Sequence, residues 1–197
     1  HHRSSAASDV YKRQTSDGIV VGDTEIQLDA VIFATGFDVM TGAMDRIDIR
    51  GRGDQALKAR WTESVTSHLG MMTHGFPNLF WINGPHSPFY NPILLAEFQC
   101  DFVTKLIDEM TDHGAEVIEA NEDEERRYVQ LTNDIGNSTL YPESDNYYMG
   151  DNIPGKPRAT LFWFGGFPFY RKQCRLAREA WKGFELGSDR AQPQQAG

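Results

Sequence analysis

Cysteine, long apolar runs and positive charge are all scarce in this sequence of 197 residues. The two cysteines, Cys100 and Cys174, lie far apart and outside any CxxC pair, which argues against both a zinc site and a disulfide framework. No apolar run approaches the ~18 residues that cross a bilayer. This cysteine usage predicts a reducing, cytoplasmic location.

Basic residues are outnumbered, since 28 Asp and Glu face 19 Lys and Arg for a formal net charge of −9. An acidic surface repels phosphate backbones, so neither nucleic acid nor an anionic membrane is an expected partner. The rest of the composition, 40% hydrophobic and 24% charged, is that of an ordinary globular protein with enough residues for a sizeable core.

The two ends of the chain lack the periodicity of helices or strands. Residues 1–14 resemble a translated library adapter or a cloning scar, so we expect the natural sequence to begin in mid-gene. Residues 187–197 are predicted to be a disordered polar tail. We therefore expect one folded portion over residues 15–186.

Short apolar runs predict the strands. Residues 18–21 and 24–28 flank the two-residue loop 22–23, whose Gly comes first, and this order predicts a hairpin with a type II′ turn. Residues 30–34 and 79–82 are continuously apolar, as strands buried on both faces are.

Three helices are predicted from capping residues and periodicity. Asn91, followed by Pro, is a good N-cap before an apolar stripe that ends near Gly114. Asn121 begins a second helix, with Glu124 completing a capping box. A third helix covers about residues 169–181. The stripe of the first helix is Leu94, Phe98, Phe102, Leu106 and Met110.

The third predicted helix carries the main concentration of bases. We interpret this cluster as a solvated helix face, and a phosphate site is the alternative. Its members are Arg171, Lys172, Arg175 and Arg178.

One segment, residues 51–56, has the GxGxxG/A spacing of a dinucleotide fingerprint. A true fingerprint follows a buried strand and has an acid about 20 residues further on. Residues 46–50 alternate instead like a half-exposed strand, and residues 66–74 contain no acid. We therefore do not expect a dinucleotide site here.

Three other segments have the composition of binding loops. Residues 33–38 and 83–88 each place small turn residues after an apolar run, where backbone N–H groups can approach a ligand closely. His86 has no second ligand nearby and Ser87 lacks a GxSxG setting, so neither a metal nor a nucleophile is expected. Residues 147–158 combine aromatics, Gly, Pro and bases, typical of either an ordered functional loop or a rigid connector.

Taken in order, five segments resemble Baeyer–Villiger monooxygenases over about residues 18–186. The resemblance implies an α/β fold: a partial FAD/NAD(P)-binding Rossmann-like flavoprotein with a helical C-terminal part, truncated at the N-terminus. It also implies FAD and NADP as cofactors, and insertion of one oxygen atom of O2 into a ketone to give an ester or lactone. The segments are residues 29–38, 47–53, 75–80, 84–88 and 152–158.

The same resemblance implies which residues lie near the cofactors. The family's two Rossmann fingerprints, its signature motif and its catalytic arginine are all upstream of the matched region, so no catalytic residue is expected and the chain alone is expected to be inactive. The implied contacts are Ala34, Thr35 and Gly36 on the return strand, Gly84, Pro85 and Ser87 on the flavin side, and Tyr147, Asn152 and Lys156 on the nicotinamide side.

Two positions depart from the family pattern. Tyr147 stands where the family usually has Trp and lacks the indole N–H, while His86 stands where Gly is more usual. The alternatives to a ketone monooxygenase are a related flavin enzyme that oxygenates nitrogen or sulfur, and a ligand-binding module without chemistry.

Overall fold

The chain divides into two compact units, residues 1–35 and 36–197. The computed structural model describes residues 11–32, 37–144, 146–151, 153 and 155–188. The predicted site residues Ala34, Thr35, Gly36 and Asn152 therefore lie outside the described residues.

The first unit contains a three-stranded antiparallel sheet in the order β1-β2-β3, with β1 at Tyr11–Gln14, β2 at Gly18–Val21 and β3 at Thr24–Gln27. The predicted hairpin is confirmed, with Val21 opposite Thr24. Of its two loop residues only Gly22 has a positive φ, 59°, as a type II′ turn requires.

Strand β1 includes residues that the sequence analysis placed outside the fold. It pairs with β2 with a shift in register after Tyr11. Backbone N–H and C=O groups form this ladder whatever the side chains are, which is why composition and periodicity gave no sign of it.

The apolar segment that follows the hairpin is not the predicted strand over its described part. Residues 30–32 have no strand conformation, and the side chains of Val31 and Ile32 are 43% and 90% exposed. A strand buried on both faces needs a neighbour on each side. No described strand pairs with residues 30–32, and so their apolar character alone does not bury them.

The second unit contains four α-helices and a two-stranded sheet among its described residues. The helices are α1 at Leu57–Glu63, α2 at Pro92–Asp112, α3 at Glu122–Asn137 and α4 at Phe167–Arg178. The strands β4 at Val117–Ala120 and β5 at Phe184–Gly187 pair in antiparallel register, with Val117 opposite Gly187.

The predicted cap of α2 is confirmed. The Asn91 side chain accepts hydrogen bonds from the N–H groups of Ile93 and Leu94, at 3.0 and 3.2 Å, and the turn after the helix places Gly114 at a φ of 67°. The buried face is rotated from the predicted stripe, because Leu95 is buried and Leu94 is 48% exposed.

The caps of α3 and α4 differ in detail from the predictions. Asn121 accepts from the Glu124 N–H at 3.1 Å, but the Asn121 N–H donates to the Gly183 carbonyl rather than to the Glu124 side chain. Helix α4 begins two residues before the predicted start, at Phe167, and a 3-10 turn at Glu179–Trp181 completes the predicted span.

Two apolar clusters form the core of the second unit. One joins α2, α3, α4 and the β4-β5 sheet, and includes Tyr128 stacked on Trp163 with ring centroids 5.3 Å apart. The other surrounds α1 through Trp61 and Trp81, whose rings meet edge to face at 5.6 Å.

Two further strand predictions are wrong. Residues 79–82 are irregular, and the Trp81 N–H donates to the Met71 carbonyl instead of joining a ladder. Residues 46–50 make only an isolated bridge, between Arg50 and Ala56. In both cases the described residues include no extended neighbour along the segment.

Candidate functional site

The turn at residues 83–88, predicted on the flavin side, is buried from Gly84 onwards. Its backbone is held by the segment before α4, because the His86 N–H donates to the Leu161 carbonyl at 2.8 Å and the Trp163 N–H donates to the Ser87 carbonyl at 2.9 Å. A Cβ added to Gly84 would overlap the Trp81 ring. The glycine is therefore required by close packing.

A buried glutamine, Gln99, ties this turn to the core. Its amide oxygen accepts from the Asn83 N–H at 2.7 Å, and its amide nitrogen donates to Ser87 Oγ at 3.0 Å and to the Tyr170 hydroxyl at 2.8 Å. Tyr170 in turn donates to the Leu69 carbonyl at 2.7 Å. Gln99 is not among the predicted site residues, although a polar residue among the apolar residues of a predicted helix was a usable signal.

His86 lies inside the same turn and is neutral near pH 7. Burial lowers its pKa to about 4. Ser67 Oγ donates to the Pro85 carbonyl at 2.5 Å and also lies 3.1 Å from His86 Nδ1, so its single proton is used and Nδ1 is assigned as the donor. His86 therefore stabilises the turn from within rather than facing a ligand.

The loop predicted on the nicotinamide side begins with a 3-10 helix at Tyr147–Met149 and turns at Gly150, which has a φ of 76°. The Tyr147 ring is 40% exposed and lies 4.0 Å, between centroids, from the Tyr148 ring. Tyr147 thus presents an aromatic surface to solvent, whereas Met149 is buried.

Lys156 is held by an acid from one of the other predicted segments. Its Nζ donates to Asp38 Oδ1 at 2.5 Å and to the Val39 carbonyl at 3.2 Å, and its side chain is only 8% exposed. The pair lines a cavity of about 340 Å³ together with Asp45, whose pKa is raised by burial and by the nearby Asp38.

The structure brings the turn and the loop together through aromatic contacts. The Phe89 ring, directly after the turn, meets the Tyr148 ring edge to face at 5.3 Å between centroids. Phe162 contacts both rings, at 6.0 Å from Phe89 and 5.4 Å from Tyr148. These contacts bring four predicted site residues into one region of the second unit, namely Gly84, Pro85, Ser87 and Tyr147.

Most of the polar groups predicted to contact cofactor already have partners within the chain. The N–H groups of Gly84 and Ser87 donate to the carbonyls of Gly70 and Gly84, and Ser87 Oγ also donates to the Gly70 carbonyl at 3.3 Å. Lys156 is paired with Asp38. These residues fit the wall of a cofactor site, and the exposed Tyr147 ring fits a contact surface.

The GxGxxG/A-spaced segment has no strand before it. It forms a 3-10 turn at Arg52–Asp54 in which the Gly51 N–H donates to the Gln55 carbonyl. Among the described residues no cluster of three or more His, Cys, Asp or Glu side chains is arranged for a metal ion, and no helix has the length and apolarity to span a membrane.

No family model matches the chain, but individual proteins do. It is 36% identical over 180 residues to phenazine N-monooxygenase PhzNO1 of Lysobacter antibioticus, covering 90% of this chain and 33% of that protein. It is 37% identical over 179 residues to cyclopentanone 1,2-monooxygenase of Comamonas sp., covering 89% of this chain and 32% of that protein.

The fold matches as well as the sequence. A crystal structure of cyclohexanone monooxygenase from Rhodococcus sp. Phi1 bound to NADP+ superposes with a TM-score of 0.81 at 34% identity, over 90% of this chain and 34% of that one. The described fold is therefore that of one portion of a flavoprotein monooxygenase. The chain spans about a third of the length of the relatives it matches.

The particular family follows from the names of these matches. They include an enzyme named as a Baeyer–Villiger monooxygenase, 36% identical over 155 residues, and a structure that holds both FAD and NADP. The resemblance is confirmed: the chain is homologous to part of the Baeyer–Villiger monooxygenases.

Proposed function

We propose that this chain is a portion of an FAD- and NADPH-dependent monooxygenase that inserts one oxygen atom of O2 into a ketone substrate. The observation that carries the proposal is the meeting of the turn at 83–88 with the loop at 147–158 through Phe89 and Tyr148. The ketone as substrate is supported by relatives named for cyclopentanone and cyclohexanone.

The residues of the chain take three roles in this proposal. Gly84, Pro85 and Ser87 form a wall on the flavin side, kept rigid by Gln99. Tyr147 packs on the nicotinamide cofactor and excludes water from it. Lys156, paired with Asp38, fixes the end of the loop. When bound, FAD and NADPH would supply the redox chemistry.

The positions outside the described residues keep the roles that the family resemblance implies. Ala34, Thr35 and Gly36 are proposed to line the return into the FAD-binding part, and Asn152 to lie beside the nicotinamide cofactor. Small residues let a cofactor approach the backbone closely.

Oxygenation of nitrogen is the second candidate, because the phenazine N-monooxygenase matches this chain as well as the cyclopentanone enzyme does, at 36% and 37% identity. The ketone reaction is favoured because several other matches, including an acetone monooxygenase, are named for ketones.

Two hybrid enzymes test the proposal. Residues 15–186 replace the matching third of the cyclopentanone monooxygenase in one hybrid and of the phenazine N-monooxygenase in the other. FAD content, NADPH oxidation and product are then measured beside each unaltered parent. We expect FAD binding and lactone formation in the first hybrid. If the first hybrid binds FAD without forming lactone and the second hybrid forms the N-oxide, the second candidate is favoured. Failure of both hybrids to bind FAD would overturn the proposal.

A further inference from the structure

A groove of about 400 Å³ lies between α2 and α4, and its lining includes no residue of the turn or the loop described above. Phe98 and Phe102 of α2 line its apolar side, and Cys174 closes its base. Burial raises the pKa of the Cys174 thiol, so it is uncharged. The opposite rim consists of the four bases of α4, namely Arg171, Lys172, Arg175 and Arg178.

The rim has more positive charge than its neighbours neutralise. Arg178 Nε lies 3.4 Å from Glu109 Oε1, and Arg175 Nε lies 3.7 Å from Glu179 Oε1. In the described part of the chain no acid forms an ion pair with Arg171 or Lys172, which leaves a local positive surplus on a chain whose net charge is −9.

The aromatic side of the groove distinguishes it from an ordinary solvated helix face. The Arg171 guanidinium carbon lies 5.8 Å from the centroid of the Phe98 ring and 6.0 Å from that of Phe167. A cation–π contact of this kind keeps the charge beside an apolar surface. The groove therefore offers a cationic rim and an apolar wall to the same ligand.

We propose that this groove binds an amphiphilic carboxylate: an anionic head at Arg171 and Lys172, with a medium-length apolar body against Phe98 and Phe102. Charge complementarity selects the anion, because within the described residues no acid neutralises the positive charges of Arg171 and Lys172. The volume is within the range of ~300–1,000 Å³ that holds small ligands. The phosphate site considered in the sequence analysis is not favoured, because a phosphate ion has no apolar part to contact the phenyl rings.

Calorimetric titration of the full chain with octanoate tests the proposal, with 1-octanol and acetate as partial ligands. Octanol has the apolar body without the charge, and acetate has the charge without the body. We expect octanoate to bind roughly tenfold or more tightly than either, because each loses one of the two contributions. Equal binding of octanol and octanoate, or no binding of octanoate, would overturn the proposal.

Matched variants assign the site. The double variant Arg171→Gln/Lys172→Gln is compared with Arg46→Gln/Arg126→Gln, which removes the same charge from exposed positions elsewhere. We expect octanoate affinity to fall roughly fivefold or more in the first and to change little in the second. All four side chains are exposed, so none of these changes opens a cavity in the core.

Chemical modification locates the ligand directly. Phenylglyoxal modifies arginines, and peptide mass spectrometry reports which ones react. Octanoate is expected to protect Arg171 and Arg175 and to leave Arg126 reactive. The same titration is repeated on the hybrid monooxygenase, in which another part of the enzyme could cover the groove. Octanoate binding to the hybrid would support a ligand groove. Loss of octanoate binding in the hybrid would count against the proposal.

Discussion

His68 is fully buried, and within the part of the chain that the structure describes neither ring nitrogen has a partner of good hydrogen-bond geometry. The ring lies edge to face with Tyr128 and Phe184, at 6.0 and 5.4 Å between centroids. Burial lowers its pKa from 6.5 to about 4. The unfolded chain therefore takes up a proton as the pH falls below about 6.5, whereas the folded chain resists protonation until about pH 4.

This arrangement predicts that stability falls as the pH drops through that window, and that His68→Leu reduces the fall. Near pH 7 the variant is expected to be more stable by about 1 kcal/mol or more, because two orphaned polar atoms are removed. The gain should grow toward pH 5 as the protonation of unfolded His68 is lost. Urea unfolding at both pH values measures it. His86 has the same lowered pKa, so part of the pH dependence of stability remains in the variant. A gain in stability that does not depend on pH would contradict the prediction.

Gln99→Leu removes the buried amide that links the turn at residues 83–88 to Tyr170. We expect a loss of about 1–3 kcal/mol in the free energy of unfolding, because the Asn83 N–H loses its acceptor. Gln130→Leu is the matched control, since Gln130 is exposed on α3. Urea unfolding of both variants gives the comparison, and equal losses would show that the network around Gln99 is not a main contributor to stability.

Tyr147 is tested in the ketone-oxidising hybrid. Tyr147→Ala should raise the NADPH KM and the leak of hydrogen peroxide, because a cofactor contact of about 1–3 kcal/mol and a water-excluding ring are lost. Tyr147→Trp, which restores the usual family residue, should be close to neutral. Bound FAD should be unchanged in both. A lower melting temperature with unchanged KM and coupling would instead give Tyr147 a purely structural role.

At the level of elements, helix α2 owes its start to a side chain that the sequence identified. Asn91→Ala removes the acceptor for two N–H groups and should cost about 1 kcal/mol. Asn91→Asp keeps an acceptor and should cost much less. Hydrogen exchange at Ile93 and Leu94 measures the fraying directly, and equal exchange in both variants would contradict the assigned cap.

Helices α2, α3 and α4 were predicted, whereas α1 and most strands were not, for a physical reason. Helix α1 has only seven residues and no side-chain cap at Ala56, so it carries none of the capping signal that identified the others. The caps at Asn91 and Asn121 act within three residues, so local sequence contains the whole signal. Strand β4 finds its partner β5 more than 60 residues later in the chain, and neither four-residue strand shows alternation strong enough to identify it. Only the hairpin closed by Gly22, whose partners are adjacent in sequence, was predicted correctly.

Across the second unit, the sequence identified the turn and the loop of the candidate site but not how they are joined. Phe89 and Tyr148 were part of no predicted contact, and the Asp38–Lys156 pair joins residues 118 positions apart. Composition predicts which segments are ordered loops, whereas the pairing of their side chains depends on the packing of the whole unit. The hydrogen-bond partners of Ser87 and Lys156 within the chain also depend on this packing, and so they could not be predicted from the sequence.

The same internal partners bear on whether the chain holds a flavin without the rest of a monooxygenase. A pyrophosphate is usually bound by free N–H groups at a helix N-terminus after a glycine-rich turn. Among the described residues, Asn91 and Asn121 cap α2 and α3, and Pro168 removes a donor from the first turn of α4. Helix α1 follows the glycine-spaced segment, but the N–H groups of Gly51 and Leu57 are already bonded, to the carbonyls of Gln55 and Ile49.

We therefore expect the chain alone to lose FAD and to leave NADPH unoxidised. The chain is mixed with excess FAD and desalted, and the visible absorption spectrum is recorded, with the ketone-oxidising hybrid carried through the same steps as the positive control. The hybrid should retain about one flavin per chain, because its remaining part supplies the phosphate-binding turn. A stoichiometric flavin spectrum from the chain alone would show that the turn and the loop bind the cofactor by themselves, and that their role extends beyond forming its walls.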